Sequence, residues 1–391
     1  MPTMTIDKKR IFQLAVFVLV GFNVWVWYPV FVAPAAEDSV YFLDVGQGDS
    51  QLVVLSNVKI LIDGGRNKRV LNALDSALGQ KNNKYIDILL MTHPELDHYG
   101  GFIEVLRRYD VGLFISNGQV VDADEFRVLK NELAAKNVPV IELREGDAIR
   151  HKDAKFSVFS PDKALLEKGN PNEAGIVMMF ENGEARVLFT GDIGFLAENI
   201  LIAKDYDLNA DVLKIGHHGS KNSSGENFIA AVLPAASVIG VGQNSYGHPA
   251  PQTLKTLEWA GSKIYRTDKD GTVKIVLYDN FSSENKTPAR WLPAMLTGRY
   301  KSSTMLTLSL AQLKNGHDLK KAESFAREAV CVDINTASSE RLTKIRHIGA
   351  KRAQLLIEAR PFVSIKELIR VKDIGPLRLA DILAEGKACV L

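Results

Sequence analysis

Two histidines and two carboxylates fall within six residues in His93-Pro94-Glu95-Leu96-Asp97-His98. Imidazole and carboxylate are the ligand types of hydrolytic Zn, Mn or Fe centres. Three later stretches carry the same chemistry: Thr190-Gly191-Asp192, Gly216-His217-His218-Gly219-Ser220-Lys221, and Tyr246-Gly247-His248-Pro249. Adjacent side chains point different ways, so one of His217 and His218 is expected to ligate; the sequence leaves open which. Ser220 and Lys221 add a hydroxyl and a cation to the same turn. Asp44, Asp49 and Asp63 close apolar runs, where they either cap turns or orient ligands from behind.

These residues need elements to bring them together. Tyr85 to Leu90 is a short apolar run that reads as a buried strand delivering the His93–His98 turn at its C-terminal end. Gly100 and Gly101 are expected to turn the backbone before a helix over 102–109. Val40-Leu43, Leu52-Leu55 and Lys59-Ile62 read as strands, Val70 to Leu78 as an amphipathic helix, and Asn182-Gly183 as a hairpin turn into Arg186-Phe189. Strands before Asp192 and before His217 repeat the same arrangement. The alternation predicts an α/β fold of two sheets sandwiched between helices.

With these motifs in order, the sequence resembles the metallo-β-lactamase superfamily, and more closely the hydrolase domain of ComEC-type DNA-uptake proteins. Further matching stretches are Phe42-Leu43-Asp44-Val45-Gly46-Gln47-Gly48-Asp49-Ser50 and Leu213-Lys214-Ile215-Gly216-His217-His218. The resemblance covers residues about 40 to 278 and implies an αββα sandwich with two divalent ions. His93 and Glu95 would hold one, Asp97 and His98 the other, with Asp192 between them and His217 or His218 completing one shell. The other histidine of that pair, and His248, would contact a phosphate or protonate the leaving group. Glu95 stands where a superfamily histidine is usual, which favours Mn²⁺ relative to an all-histidine pocket, with Zn²⁺ the other expectation. The family's Asn/Ser-rich stretch is Asn170-Pro171-Asn172-Glu173-Ala174-Gly175 here and lacks its Ser.

The ends of the chain differ in character. Lys8-Lys9-Arg10 precede an apolar run from Ile11 to Val32 with Trp25, Trp27 and Tyr28 toward its far end. About 20 such residues span a bilayer, and the basic flank predicts a cytoplasmic N-terminus with the rest outside. Residues 1–36 therefore read as one N-terminal transmembrane anchor or a signal peptide, giving a membrane-anchored or secreted protein. From Phe281 onward the chain holds 19 Lys and Arg against 11 Asp and Glu, and 29 against 35 before it. The basic part would meet a polyanion. Cys331 and Cys389 are too few for a disulfide framework and bracket the last domain.

The expected division is 1–36 anchor or signal, 38–280 hydrolase, 281–330 basic linker and 331–391 a small all-α domain. That last domain repeats itself: Leu342 to Gly349 returns as Leu368 to Gly375. It resembles the tandem helix-hairpin-helix module, (HhH)2, of ComEA-type DNA receptors. A helix starting at a glycine turn points N–H groups at a phosphate. Arg346, His347, Gly349, Lys351, Arg352 and Gly375 are the expected DNA contacts. The first hairpin is favoured, because Asp373 would repel a phosphate. Single- or double-stranded DNA is thus the expected partner, cut by the metal site as a phosphodiester. A catalytically weak DNA receptor and a hydrolase of another phosphodiester are the alternatives. Transport itself would fall to a separate DNA-uptake channel.

Overall fold

The computed structural model describes residues 16–25, 37–79, 84–168, 170–204, 206–277, 305–317, 321, 332–385 and 387–390. Its strands are β1 (Ser39–Phe42), β2 (Gln51–Leu55), β3 (Val58–Ile62), β4 (Tyr85–Leu90), β5 (Asp110–Ser116), β6 (Val140–Glu142), β7 (Ala148–His151), β8 (Ala154–Ser160), β9 (Val177–Asn182), β10 (Ala185–Phe189), β11 (Val212–Lys214), β12 (Ala236–Ile239), β13 (Lys263–Arg266), β14 (Thr272–Val276), β15 (Met305–Ser309), β16 (Val332–Asp333) and β17 (Ala388–Cys389). Two sheets form from the first fifteen, in the orders β15-β14-β1-β2-β3-β4-β5-β6 and β13-β12-β11-β10-β9-β8-β7.

Alternation along the strands puts one face of each sheet into a shared core, where Phe42, Phe156, Phe180 and Phe189 meet Val40, Val53 and Ile275. The outer face of the first sheet packs on the helices Arg69–Leu78, Leu96–Arg108 and Asp124–Ala135 through Leu74, Phe102, Leu106 and Leu129. The outer face of the second packs on Phe195–Ala203, Glu226–Val232 and Pro251–Trp259 through Leu201, Ile229 and Leu257. The result is the expected αββα layering, with sheets of mixed direction.

β3, β4 and β5 run parallel, as do β10, β11 and β12. The segments leaving the C-terminal ends of each parallel trio therefore emerge together, and they carry the ligand candidates. Parallel strands are buried on both faces, so the chemistry can only sit at their ends.

Part of the expected linker belongs to this fold. β15 pairs with the edge strand β14 in parallel, and Leu310 and Leu313 of the following helix enter the inter-sheet core. Alternation in Met305-Leu306-Thr307-Leu308 is the signal that composition masked. Trp291, Leu292, Met295 and Leu296 lie outside the described residues.

Buried Glu198 and half-buried Glu173 cap helices on the second sheet's outer side. Glu198 accepts the Ser224 and Gly225 N–H groups, at 2.5 and 2.9 Å, and burial pushes its carboxyl up to about 8. Glu173 accepts the Ala197 N–H at 2.9 Å.

Residues 332–390 form a separate small core around Leu342, Ile345, Ile348, Leu356, Leu368, Val371, Ile374 and Ile382. These positions repeat at the spacing of the two sequence copies. β16 and β17 close the unit as a parallel pair, which the helical reading did not anticipate. Lys387 of this unit pairs with Glu226 of the sandwich at 2.5 Å. Cys389 is disulfide-bonded; Cys331, the other cysteine of the chain, lies outside the described residues. Of the apolar N-terminal run, residues 16–25 form a helix with exposed side chains. Among the described residues no helix is long and apolar enough to cross a membrane.

Candidate metal centre

The turn after β4 enters its helix at Leu96, six residues earlier than expected. Gly100 and Gly101 are therefore inside the helix, not before it. Their role is close approach: a Cβ on either would overlap the Arg66 or Gly64 carbonyl oxygen of the loop after β3. That contact holds His98, in the helix's first turn, against Asp63.

Hydrogen bonds then settle which ring nitrogens face inward. Asp63 Oδ2 accepts from His98 Nδ1 at 2.8 Å and from the Thr92 hydroxyl at 2.8 Å. Thr92 Oγ1 lies 3.0 Å from His93 Nδ1 and accepts its proton. His218 Nδ1 donates to the Gly240 carbonyl at 2.8 Å. In all three rings Nε2 is left for the site. His217 and His218 both hold left-handed backbone conformations, φ 50° and 53°. Such strain persists only where the surroundings impose it, and here it swings His218 inward.

Asp49, His98, Asp192 and His218, all buried, present ligand atoms within 4.8 Å of one another. Asp192 Oδ2 stands 3.3 Å from both His98 Nε2 and His218 Nε2. Asp97 Oδ2 is 3.3 Å from His218 Nε2. Beside them His93 Nε2 lies 4.0 Å from Glu95 Oε2, whose side chain is 42% exposed. Asp49 Oδ1 and His93 Nε2 are buried without a hydrogen-bond partner. Buried polar atoms are rarely left so. Orphaned donors of this type, converging, fit a divalent cation.

Electrostatics point the same way. Burial raises the Asp192 carboxyl, yet His218, Lys214 and His98 together outweigh it and hold it well below the usual carboxylate range. Burial pushes Asp49 up to about 6 against the pull of Lys214 and His218. Burial opposes charge on His218 and His98, but Asp192 with Asp49 lifts His218 to about 9, and Asp192 with Asp63 lifts His98 well above the ordinary imidazole value. His93 is driven well below it by burial and by His98. Protons on His98 and His218 thus stand where a cation would stand, and metal binding would release them.

Three side chains here were not anticipated. Lys214, 1% exposed, points from the end of β11 onto Asp49 and, at 3.1 Å, Asp192 Oδ1. Burial works against its charge, but the two carboxylates outweigh burial and keep it protonated beyond the ordinary lysine range. A lysine ending an apolar strand just before a histidine pair was the available signal. Thr92 orients His93, and Thr190 ties the β10 end to the Lys214 carbonyl at 2.8 Å.

The cluster opens into a cleft of about 530 Å³ lined by Glu95, Asp97, Asn172, Asp192, His217, His218, Tyr246 and His248 among others. His217 is half-buried, its N–H bound to Asp192 Oδ1 at 3.1 Å and its ring 5.7 Å from that of His248. Burial and the neighbouring His217 and His218 lower the His248 imidazole. Four expected positions are elsewhere or act differently. Asp49 joins the cluster itself. Asp44 caps its own turn through the Gly46 N–H. Ser220 accepts from the Asn222 N–H. Lys221 faces a small pocket shared with Glu385 and Lys387, away from the cleft.

In the C-terminal unit each hairpin turns through a left-handed residue, His347 at φ 65° and Asp373 at φ 67°. The guanidinium of Arg352 donates to the His347 carbonyl at 2.7 Å, and that of Arg378 to the Asp373 carbonyl at 2.5 Å. Arg352, an expected DNA contact, is thus committed to closing its turn. His347 Nε2 sits 2.6 Å from Asp381 Oδ2. Arg346 and Lys351 are exposed, whereas the second copy offers Leu377, 85% exposed, at the position of Lys351. A Cβ at Gly349 or Gly375 would meet nothing, and neither has a left-handed φ, so the fold itself does not require glycine at either. Ser338 caps its helix by accepting from the Arg341 N–H; Ser364 makes no such bond.

Known proteins share both parts. The family model described as "Metallo-beta-lactamase superfamily" matches residues 43–242, and that of the helix-hairpin-helix motif matches 327–384. ComE operon protein 3 of Bacillus subtilis (strain 168) is 32% identical over 69% of this chain and 37% of its own length. Competence protein ComA of Neisseria gonorrhoeae is 30% identical over 67% of this chain and 35% of its own. A deoxyribonuclease of Thioalkalivibrio sp. (strain K90mix) is 40% identical over 19% of this chain and 20% of its own. The chain spans about a third of the length of the competence relatives it matches. A buried Asp/His cluster at the strand ends of an αββα sandwich, matched over half the chain, places this protein in the metallo-β-lactamase superfamily, with a helix-hairpin-helix motif at its C-terminus.

Proposed function

We propose that this chain is a metal-dependent phosphodiesterase that cuts DNA outside the cytoplasm. The observation that carries the reading is the converging set of Asp49, His98, Asp192 and His218 at the floor of an open cleft. Two divalent ions, manganese or zinc, are the proposed occupants, with His93 and Glu95 reaching the second position. Bound there, they would lower the pKa of a water and take up charge on the phosphoryl oxygens. The chain's own residues do the rest. Asp63, Thr92 and Gly240 fix the three rings, Asp192 faces two of them, and His248 at the cleft wall meets a phosphate oxygen or the departing oxygen.

DNA as substrate is supported by the helix-hairpin-helix motif and by the competence relatives. The two glycines that the fold does not need support it further, since a missing Cβ lets a phosphate approach the backbone. Such contacts ignore base sequence. The domain division expected from sequence, with the sandwich extended to include 305–315, remains our working division. So does the anchor or signal over 1–36; the disulfide at Cys389 supports an oxidising location.

Purified protein is expected to cleave single- or double-stranded DNA in Mn²⁺ or Zn²⁺ and to stop in chelator. A preparation that folds, binds metal and leaves both DNA forms intact would remove the nuclease reading.

A further inference from the structure

The cleft does not end at the metal cluster. Arg66 lines it and also lines a second groove of about 750 Å³ with Asn67, Lys68, Arg69 and Arg107. Residues 66–69 are exposed, and among the described residues no ion pair engages the Arg66, Lys68 or Arg69 side chains. Of the three acids on the opposite wall, Glu104 pairs with Arg107 at 2.8 Å and Asp124 pairs with Arg127, which leaves Glu125 against three cations. Arg69 lies over Gly46, in the loop that carries Gln47 to the cleft; a Cβ at Gly46 would collide with its guanidinium. The metal cleft also holds an unmet acceptor. Asn172 is 8% exposed and its Oδ1 has no partner.

Local energetics argue that these cations are not there for the fold. Lys68 is the N-cap and Arg69 the first residue of the helix Arg69–Leu78, which has no acidic residue in its first turn; Asn67 Oδ1 accepts the Arg69 N–H at 3.1 Å. Cations at the positive end of a helix dipole destabilise it. A surface that retains them has another use for the charge.

We propose that Arg66, Lys68 and Arg69 form a phosphate track that holds the nucleic-acid backbone running out of the metal cleft. The track is separate from the helix-hairpin-helix unit. It rests on the phosphodiesterase reading for its ligand, but its test does not need cleavage. Lys or Arg contacts to phosphates release counterions, each contributing about 0.7–0.9 to the slope of log K against log salt.

The experiment compares the full chain with Lys68→Glu/Arg69→Glu, and with a control double, Lys255→Glu/Lys269→Glu, that changes net charge equally at exposed positions outside both grooves. Fluorescence anisotropy with a labelled oligonucleotide in chelator reads binding over a salt series. The track predicts that the first double weakens binding at least tenfold, lowers the slope by about 1.5, and leaves Tm equal or a few degrees higher. The ratio of cleavage of DNA to that of bis-p-nitrophenyl phosphate should fall at least tenfold wherever cleavage is seen. An unchanged slope overturns the track, as does an equal loss in both doubles, which would mean a diffuse field. Failure of cleavage with the slope change intact would sink the nuclease reading and keep the track.

Discussion

Asp192→Asn is expected to lower DNA cleavage by at least about 10³-fold. Its carboxylate stands 3.3 Å from His98 Nε2 and His218 Nε2, and its second oxygen is held by the His217 N–H and by Lys214. An amide keeps the size but loses the charge, and it places an NH₂ group where a cation belongs. Charge stabilisation at such a centre is worth several kcal/mol, and each 1.36 kcal/mol is tenfold in rate. Single-turnover cleavage by the folded variant, in saturating Mn²⁺, checks it. A loss below tenfold would place the reactive centre elsewhere.

Lys214→Met is expected to lower the stability of the chelator-treated protein by about 3–5 kcal/mol, the usual cost of removing one partner from a buried ion pair. Asp49 and Asp192, 0% and 1% exposed, would then face each other without their ammonium. Methionine is close in length, so the loss is electrostatic rather than a cavity. At the entropy of unfolding of a domain of this size, the Tm falls by about 6–20 °C. A divalent ion in the cluster would neutralise the same carboxylates, so added Mn²⁺ should recover more stability in the variant than in the native protein. Differential scanning calorimetry with and without metal reads both. Equal Tm values in chelator would show that Lys214 does not balance these carboxylates.

Much of this candidate site was legible because its residues travel in short motifs. Four of them sit within six residues of one turn, and strand ends announce the others through Gly, Asp and His. What could not be read was which neighbour each side chain meets. Asp49 resembles a turn cap until β1 and β2 bring it beneath His218, where Nδ1 is 3.6 Å from its Oδ2. Lysines usually point outward; the carboxylates that hold Lys214 inside come from residues 165 and 22 positions away. Ser220 and Lys221 were read as site residues from proximity in sequence, but the left-handed backbone at His217 and His218 turns the chain away just before them. The order of His217 and His218 likewise depended on that backbone.

The fold was read well where periodicity is strong and less well where it is short. β15 and its helix sit within a segment whose Ser, Pro and Gly content suggests a linker, and five alternating residues were too few to overrule it. Gly100 and Gly101 look like a turn signal in sequence, but the helix starts at Leu96 and its packing on the Gly64–Arg66 loop is what requires them. In the C-terminal unit the repeat was plain, and its departures, His347 and Asp373, still take the left-handed backbone that glycine takes most readily.

Anomalous diffraction from crystals grown with Mn²⁺ or Zn²⁺ tests the central claim most directly. The account predicts a peak within coordination distance of His98 Nε2, Asp192 Oδ2 and His218 Nε2, with a second near His93 and Glu95. Well-ordered crystals with these side chains in place and no anomalous peak among them would contradict it.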